Sequence, residues 1–134
     1  MEFVSIRIIT DDVARLVAFY ERVTGVRAVW ATEDFAELGT PTAALAIAGT
    51  RTVPLFAPGS ARPAANESVI TEFLVDDVDR VHRELTGSGH LTDPVAGPTT
   101  MPWGNRSLLF RDPDGNLVNV FTPVTAAAVA KFAR

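Results

Sequence analysis

The sequence contains no cysteine, only two histidines and a single lysine, Lys131. Without cysteine, the chain has no disulfide framework, no thiolate nucleophile and no Cys-ligated zinc or iron–sulfur site. It also has no run of about 18 apolar residues, and its charged start after Met1 does not resemble a secretion signal. We therefore expect a cytoplasmic protein that does not bind a membrane.

Positive charge is also scarce. The chain has 12 Lys+Arg against 16 Asp+Glu, which gives a net charge of −4. Nucleic-acid-binding surfaces concentrate Lys and Arg, so we do not expect a nucleic-acid partner. The 134 residues are 47% hydrophobic, which is enough to form the core of one domain.

The chain matches itself when it is shifted by 65 residues. Eleven identities fall among the 57 positions from 2 to 58, where average residue usage predicts about four. They include Asp12 with Asp77 and Phe56 with Phe121. We therefore predict two similar modules within a single domain at 1–134. Module one covers about 1–58, a linker about 59–66, module two about 67–123 and a C-terminal helix about 125–133.

Each module is predicted to begin with a strand followed by an Asp-capped helix. In module one, alternation predicts a strand at 2–10, Asp11 or Asp12 caps a helix to about Val23, and β-rich runs follow at 28–32, 43–48 and 52–57. In module two we predict a strand at 67–75, a helix from Asp76-Asp77 to about Leu85, a looser segment at 91–104, and a hairpin of 107–110 with 117–122. Both modules therefore resemble βαβββ units of an α+β fold.

Several motifs carry a family resemblance. FRDPDGNLVNVF at 110–121, the preceding Trp103-Gly104, and the helix openings TDDV and VDDV resemble the vicinal oxygen chelate superfamily. This superfamily includes glyoxalase I, extradiol dioxygenases, fosfomycin-resistance enzymes and bleomycin-resistance binding proteins. The resemblance implies two tandem βαβββ modules that form a cup-shaped, mostly antiparallel sheet with helices outside. It also implies a homodimer, whose cups form within one chain or across two.

The resemblance places metal ligands, usually His and Glu, on the first and last strands of each module. The matching positions here are Ser5, Ile70, Asn119 and, at the 65-residue offset, Pro54. None supplies the carboxylate or imidazole of a typical divalent-metal site. We therefore predict no metal and no other cofactor.

Strand alternation gives a candidate ligand site independently of the resemblance. If alternate residues pack under the helices, the remaining ones face the cup. Together with the aromatic residue of the 91–104 segment, the predicted ligand-binding residues are Ser5, Arg7, Phe56, Ile70, Glu72, Trp103, Asn119 and Phe121.

Several of these positions have two interpretations. Arg7 and Glu72 either contact ligand or form an ion pair with each other. Asn119 either binds ligand or is satisfied by backbone, and Trp103 either closes the cup or packs as core. Asp112 and Asp114 are explained by turn formation, so no catalytic residue is predicted.

The favoured function is a metal-free small-molecule-binding protein of the bleomycin-resistance-like branch, with an aromatic or cationic natural product as its ligand. One alternative is a lyase, isomerase or oxygenase that uses the same cup and depends on metal only if the ligands lie elsewhere. Another is an interaction domain whose cup is filled by side chains.

Overall fold

The computed structural model describes residues 1–133, and these form an α+β fold. The elements in chain order are β1 Ser5–Thr10, α1 Val13–Thr24, β2 Val29–Thr32, β3 Phe35–Gly39, β4 Ala44–Gly49, a 3₁₀ helix Thr50–Leu55, β5 Ile70–Leu74, α2 Val78–Gly87, β6 Pro94–Thr100, β7 Asn105–Arg111, β8 Leu117–Pro123 and α3 Ala126–Phe132. The strands form two four-stranded sheets, ordered β1-β4-β3-β2 and β5-β8-β7-β6. The predicted pair of βαβββ modules is confirmed.

Each sheet combines one parallel pair with two antiparallel pairs. β1 runs parallel to β4, and β5 runs parallel to β8. The remaining neighbours are antiparallel, as the family resemblance implies. The chain divides into two compact units: unit one is Met1–Asn66 with Pro113–Gly115, and unit two is Glu67–Asp112 with Asn116 onward.

In unit one, Asp12 and not Asp11 caps the N-terminus of α1. The Arg15 backbone N–H donates to Asp12 Oδ1 over 3.0 Å, and Gly25 ends the helix in the left-handed conformation at φ 71°. The helix packs on β3 and β4 through a stripe at helical spacing. Its buried residues are Val13, Leu16, Val17, Phe19 and Tyr20.

Unit two repeats this arrangement. Asp77 accepts from the Arg80 backbone N–H over 3.0 Å, and α2 packs on β6, β7 and β8. Alternate residues of the central strands form the core, among them Leu108, Phe110, Val118 and Val120, each at most 1% exposed. The opposite face of this sheet presents Glu72 and Asn119, which are directly paired across β5 and β8.

Three local predictions were wrong. The run 52–57 is not a strand, because Pro54 lies inside a 3₁₀ helix and has no N–H for a sheet ladder. The last strand of module one is instead Ala44–Gly49, and the short strand Phe35–Gly39 was missed. The segment 91–104 contains the strand Pro94–Thr100, which tolerates its prolines because β6 is an edge strand.

These corrections change the repeat. Arg7 and Glu72 remain equivalent at an offset of 65, but Arg7 pairs with Ala46 whereas Glu72 pairs with Asn119. The counterpart of Asn119 is therefore Ala46 and not Pro54. β6 is longer than its counterpart β2, with 7 residues against 4, so module two contains additional residues before its last strand. Phe56 and Phe121 therefore match in the gapless sequence comparison but do not occupy equivalent positions in the fold.

None of the described helices has the length and apolar content needed to cross a bilayer.

Candidate functional site

One candidate site lies on unit one and consists of Arg7, Phe35 and Phe56, here called the arginine–phenylalanine cluster. Arg7 Cζ is 5.2 Å from the centroid of the Phe35 ring and 5.8 Å from that of Phe56. Both distances are within the range of a cation–π contact, worth about 0.5–1 kcal/mol at an exposed site. The guanidinium is therefore held by two aromatic rings.

The cluster has a floor of small side chains. Arg7 pairs with Ala46 and Phe35 with Ala48, and both alanines are at most 2% exposed. Phe56 remains 59% exposed. Phe56 directly follows the 3₁₀ helix. The prediction that it lies on a strand was wrong.

Ser5 lies on the same sheet face as the cluster. Ser5 is exposed two positions before Arg7 on β1, on the same face of the strand. Sequence reasoning missed Phe35, although alternation within Phe35–Gly39 was available to place it.

A second candidate site lies on unit two and is the Glu72–Asn119 pair. Asn119 Nδ2 donates to Glu72 Oε2 over 2.7 Å. Glu72 is exposed, whereas Asn119 is only 8% exposed. The Asn119 side chain is thus bonded to a carboxylate and not to neighbouring backbone, the alternative considered from the sequence.

The other amide atom of Asn119 has no such partner. Among residues 1–133, no donor lies within hydrogen-bonding distance of the buried Oδ1 atom. A buried polar group left without a hydrogen bond costs about 1–3 kcal/mol. An unpaired buried acceptor beside an exposed carboxylate is therefore the most distinctive polar feature of this sheet face.

Apolar side chains flank the pair. Ile70 and Leu74, at alternate positions of β5, are 46% and 48% exposed. Phe121 is only 5% exposed, and its ring centroid lies 5.2 Å from that of Phe132 in α3. Phe121 is therefore a packing partner of α3.

Trp103 lies in the loop between β6 and β7 and is 67% exposed, so it is not packed as core. The following residue, Gly104, has φ +92°, a conformation that favours glycine. Its carbonyl accepts from the backbone N–H groups of Val124 and Thr125, which fixes the start of α3.

The aspartates of the DPDGN turn have structural partners. Asp112 is 3% exposed and accepts from Asn116 through both the backbone N–H, at 2.9 Å, and Nδ2, at 2.8 Å. Asp114 forms an ion pair with Arg15 at 3.0 Å within unit one. These contacts give both carboxylates a structural role, so their presence does not indicate a catalytic site.

In unit two, the Asp79–Arg106 ion pair shifts the pKa of both groups. Arg106 donates from Nε and Nη2 to the two carboxylate oxygens of Asp79 at 2.9 and 3.0 Å. These hydrogen bonds hold the pKa of Asp79 below its ordinary value and raise that of Arg106. The pair joins the first turn of α2 to β7 and was not singled out from the sequence.

A cavity of about 410 Å³ lies on unit one at the start of α1, and sequence reasoning missed it. Its charged lining residues are Asp11, Asp12, Glu33, Asp34 and Arg51. Arg51 already bonds to Asp34 at 2.9 Å and lies 3.5 Å from Glu33. Asp12 is used as the cap of α1.

The chemistry of the residues at the metal-ligand positions does not fit a metal of the superfamily's kind. With the corrected register these positions are Ser5, Ala46, Ile70 and Asn119. Two carry no side-chain donor, and the others offer a neutral hydroxyl and a neutral amide. Within residues 1–133, no three His, Asp or Glu side chains are grouped suitably to hold an ion.

Comparison with known proteins identifies the family. The model of the Glyoxalase/Bleomycin resistance protein/Dioxygenase superfamily matches residues 2–120. The chain therefore belongs to this superfamily, as its motifs predict. No functionally curated protein gives a significant match.

Solved structures with the same fold are numerous. A glyoxalase/bleomycin resistance protein/dioxygenase family enzyme from Burkholderia phytofirmans PsJN is similar at a TM-score of 0.78 and 17% identity, over 92% of this chain and 100% of that chain. A glyoxalase/bleomycin resistance protein/dioxygenase from Nocardioides has a TM-score of 0.74 and 18% identity, over 94% and 85% of the two chains. TioX from Micromonospora sp. ML1 has a TM-score of 0.68 and 24% identity, over 92% and 100%.

Proposed function

We propose that this chain is a metal-free small-molecule-binding member of the superfamily that sequesters an aromatic or cationic natural product. Sequestration would protect the cell from such a compound, so the proposed role is antibiotic resistance. In this proposal the protein acts in the cytoplasm as a homodimer and uses no cofactor.

The observation that carries the proposal is the arginine–phenylalanine cluster. Contiguous exposed apolar surface with polar groups at its edge commonly marks a ligand-binding site. Phe56 is 59% exposed and lies beside a guanidinium, above a floor of alanines. A planar ligand can stack on such a surface, while Arg7 suits an acidic or electron-rich group of the same compound.

Thermal unfolding with a panel of planar natural products, beginning with bleomycin, tests the proposal. A ligand present at about 100 times its Kd stabilises the folded state by about 2.7 kcal/mol. The panel is then titrated by calorimetry against Phe56→Ala. We expect affinity to fall about two- to tenfold, because one stacked ring contributes about 0.5–1.5 kcal/mol.

Leu55→Ala is the matched control, since Leu55 is adjacent, 83% exposed and outside the cluster. It should leave affinity unchanged. A panel without any stabilising compound, or equal losses in both variants, would contradict the proposal. Stoichiometric zinc, iron, manganese or nickel in the purified protein would contradict its metal-free part.

The proposed dimer is supported by the edge strand β2, on which Val29 is 74% and Trp30 is 44% exposed. Sedimentation equilibrium at micromolar concentration should give twice the chain mass. A monomer at every concentration would contradict it.

A further inference from the structure

We propose that the Glu72–Asn119 pair is the subsite for a protonated primary amine on the ligand. This inference rests on the proposed binding function and names the chemical group recognised at one place. It depends on unit two alone, whereas the aromatic contact proposed above depends on unit one.

The orientation of the Asn119 amide is fixed by its partner. Nδ2 faces Glu72 Oε2 at 2.7 Å. Rotating the amide by 180° would place two acceptors at that distance, so the carboxylate requires the N–H₂ side. Oδ1 therefore points away from Glu72.

The acceptors that the pair offers to a ligand are Asn119 Oδ1 and the Glu72 carboxylate, and the Asn119 amide also keeps a second N–H on Nδ2. Oδ1 is buried and has no donor among the described residues, and Asn119 itself is 8% exposed. Glu72 is exposed and keeps lone pairs that Asn119 does not use. A group that satisfies both residues must carry at least two N–H donors, and a positive charge matches the carboxylate.

A primary ammonium meets these requirements. Its three N–H bonds allow one to point to Oδ1 and another to the carboxylate. A quaternary ammonium has the charge but no N–H, so it leaves Oδ1 unpaired. The half-exposed Ile70 and Leu74 beside Glu72 provide apolar contact for the carbon skeleton that carries the amine.

The test follows the side-chain amide resonances of Asn119 by ¹⁵N NMR during titration with 2-phenylethylamine. We expect saturable shifts of the Nδ2–H₂ signals. The N,N,N-trimethyl analogue should bind at least tenfold more weakly. Glu72→Gln, which keeps shape and removes charge, should weaken phenylethylamine binding by about tenfold.

Glu84→Gln is the matched control, because Glu84 is an exposed carboxylate of the same unit but lies on α2, which packs against the opposite face of the sheet from Glu72 and Asn119. It should bind the amine as the wild type does. Equal binding of the two ammonium compounds, equal weakening in Glu84→Gln, or no response at Asn119 would each overturn the inference. Backbone spectra and unfolding midpoints verify that both variants remain folded.

The two proposals fail separately. If panel compounds bind and lose affinity in Phe56→Ala but not in Glu72→Gln, the proposed function stands and the amine subsite is wrong. If no panel compound binds and 2-phenylethylamine still shifts the Asn119 signals, the proposed natural-product ligand is wrong and the amine subsite stands.

Discussion

Asn119 donates from Nδ2 to Glu72 Oε2 over 2.7 Å, between directly paired residues of two parallel strands. The bond leaves Asn119 Oδ1 buried without a donor in the described chain. A residue kept at a cost to stability is expected where function requires it. This relationship links the fold of unit two to its proposed role.

The first prediction concerns Asn119→Asp. It places two carboxylates against each other, and like charges raise the pKa of the pair above the unfolded values. A raised carboxyl pKa means that stability is lost as pH rises through the unfolded pKa toward the folded one. We expect a loss of about 2 kcal/mol near neutral pH that shrinks near pH 4, measured by urea unfolding. A loss independent of pH would contradict this.

The second prediction concerns Asn119→Leu. This change removes the unpaired Oδ1 and leaves Glu72, which is exposed, to water. Replacing a half-satisfied polar group by an apolar one of similar size is often close to neutral, so we expect a change within about 1 kcal/mol in either direction. Binding of 2-phenylethylamine should be lost. A loss of several kcal/mol would show that the amide mainly serves stability.

The third prediction separates adjacent aspartates. Asp12→Ala and Asp77→Ala remove the side chains that cap α1 and α2. Each should lower the free energy of unfolding by about 1 kcal/mol. Asp11→Ala and Asp76→Ala are matched controls one residue earlier and should cost less than about 0.5 kcal/mol. If both aspartates of a pair lost the same free energy of unfolding on substitution, the cap of that helix would have been assigned to the wrong residue.

The fourth prediction concerns Gly104→Ala. A Cβ at this position would overlap the Thr125 side chain, and φ is +92°. We expect a loss of about 2–3 kcal/mol, measured by urea unfolding. Gly97→Ala is the control, because nothing lies within 4 Å of its Cβ position. It should change stability by less than about 1 kcal/mol, and similar losses in both would contradict the prediction.

The fifth prediction concerns the Asp79–Arg106 ion pair. The ion pair lowers the pKa of Asp79 in the folded protein. Its contribution to folding stability is therefore present above the unfolded-state pKa of Asp79 and is lost as pH falls through the folded-state pKa. A double-mutant cycle of Asp79→Asn and Arg106→Gln should therefore show coupling at neutral pH and none in strong acid. High salt should weaken it, because both side chains are partly exposed. Coupling that persists in acid would contradict it.

Much of the fold was available from sequence because it depends on local chemistry. Alternation in 2–10 and the Asp caps predicted the strand–helix start of both modules, and the DPDGN motif predicted the β7–β8 hairpin. The resemblance to the superfamily, confirmed by the family match over 2–120, supplied the order of the remaining elements.

The candidate site was predicted less completely. Strand parity placed Arg7, Glu72 and Asn119 on one face of each sheet from the sequence, because alternation decides which face a side chain occupies; their role in binding stays a prediction. Phe35 was missed because the short strand Phe35–Gly39 was not recognised between the runs 28–32 and 43–48. Phe56 was assigned to a strand because 52–57 is rich in residues that favour strands, although Pro54 lies within it.

The sequence by itself determined the two βαβββ modules and their capped helices, since these follow from residue type and short-range spacing. Only the tertiary structure decided that Ala46 is the counterpart of Asn119, that Phe56 reaches Arg7 and that Asn119 bonds to Glu72. These relationships join residues about 40–50 positions apart in the chain, so they depend on strand register and on the path of the chain after β4, which are set by packing across the whole sheet.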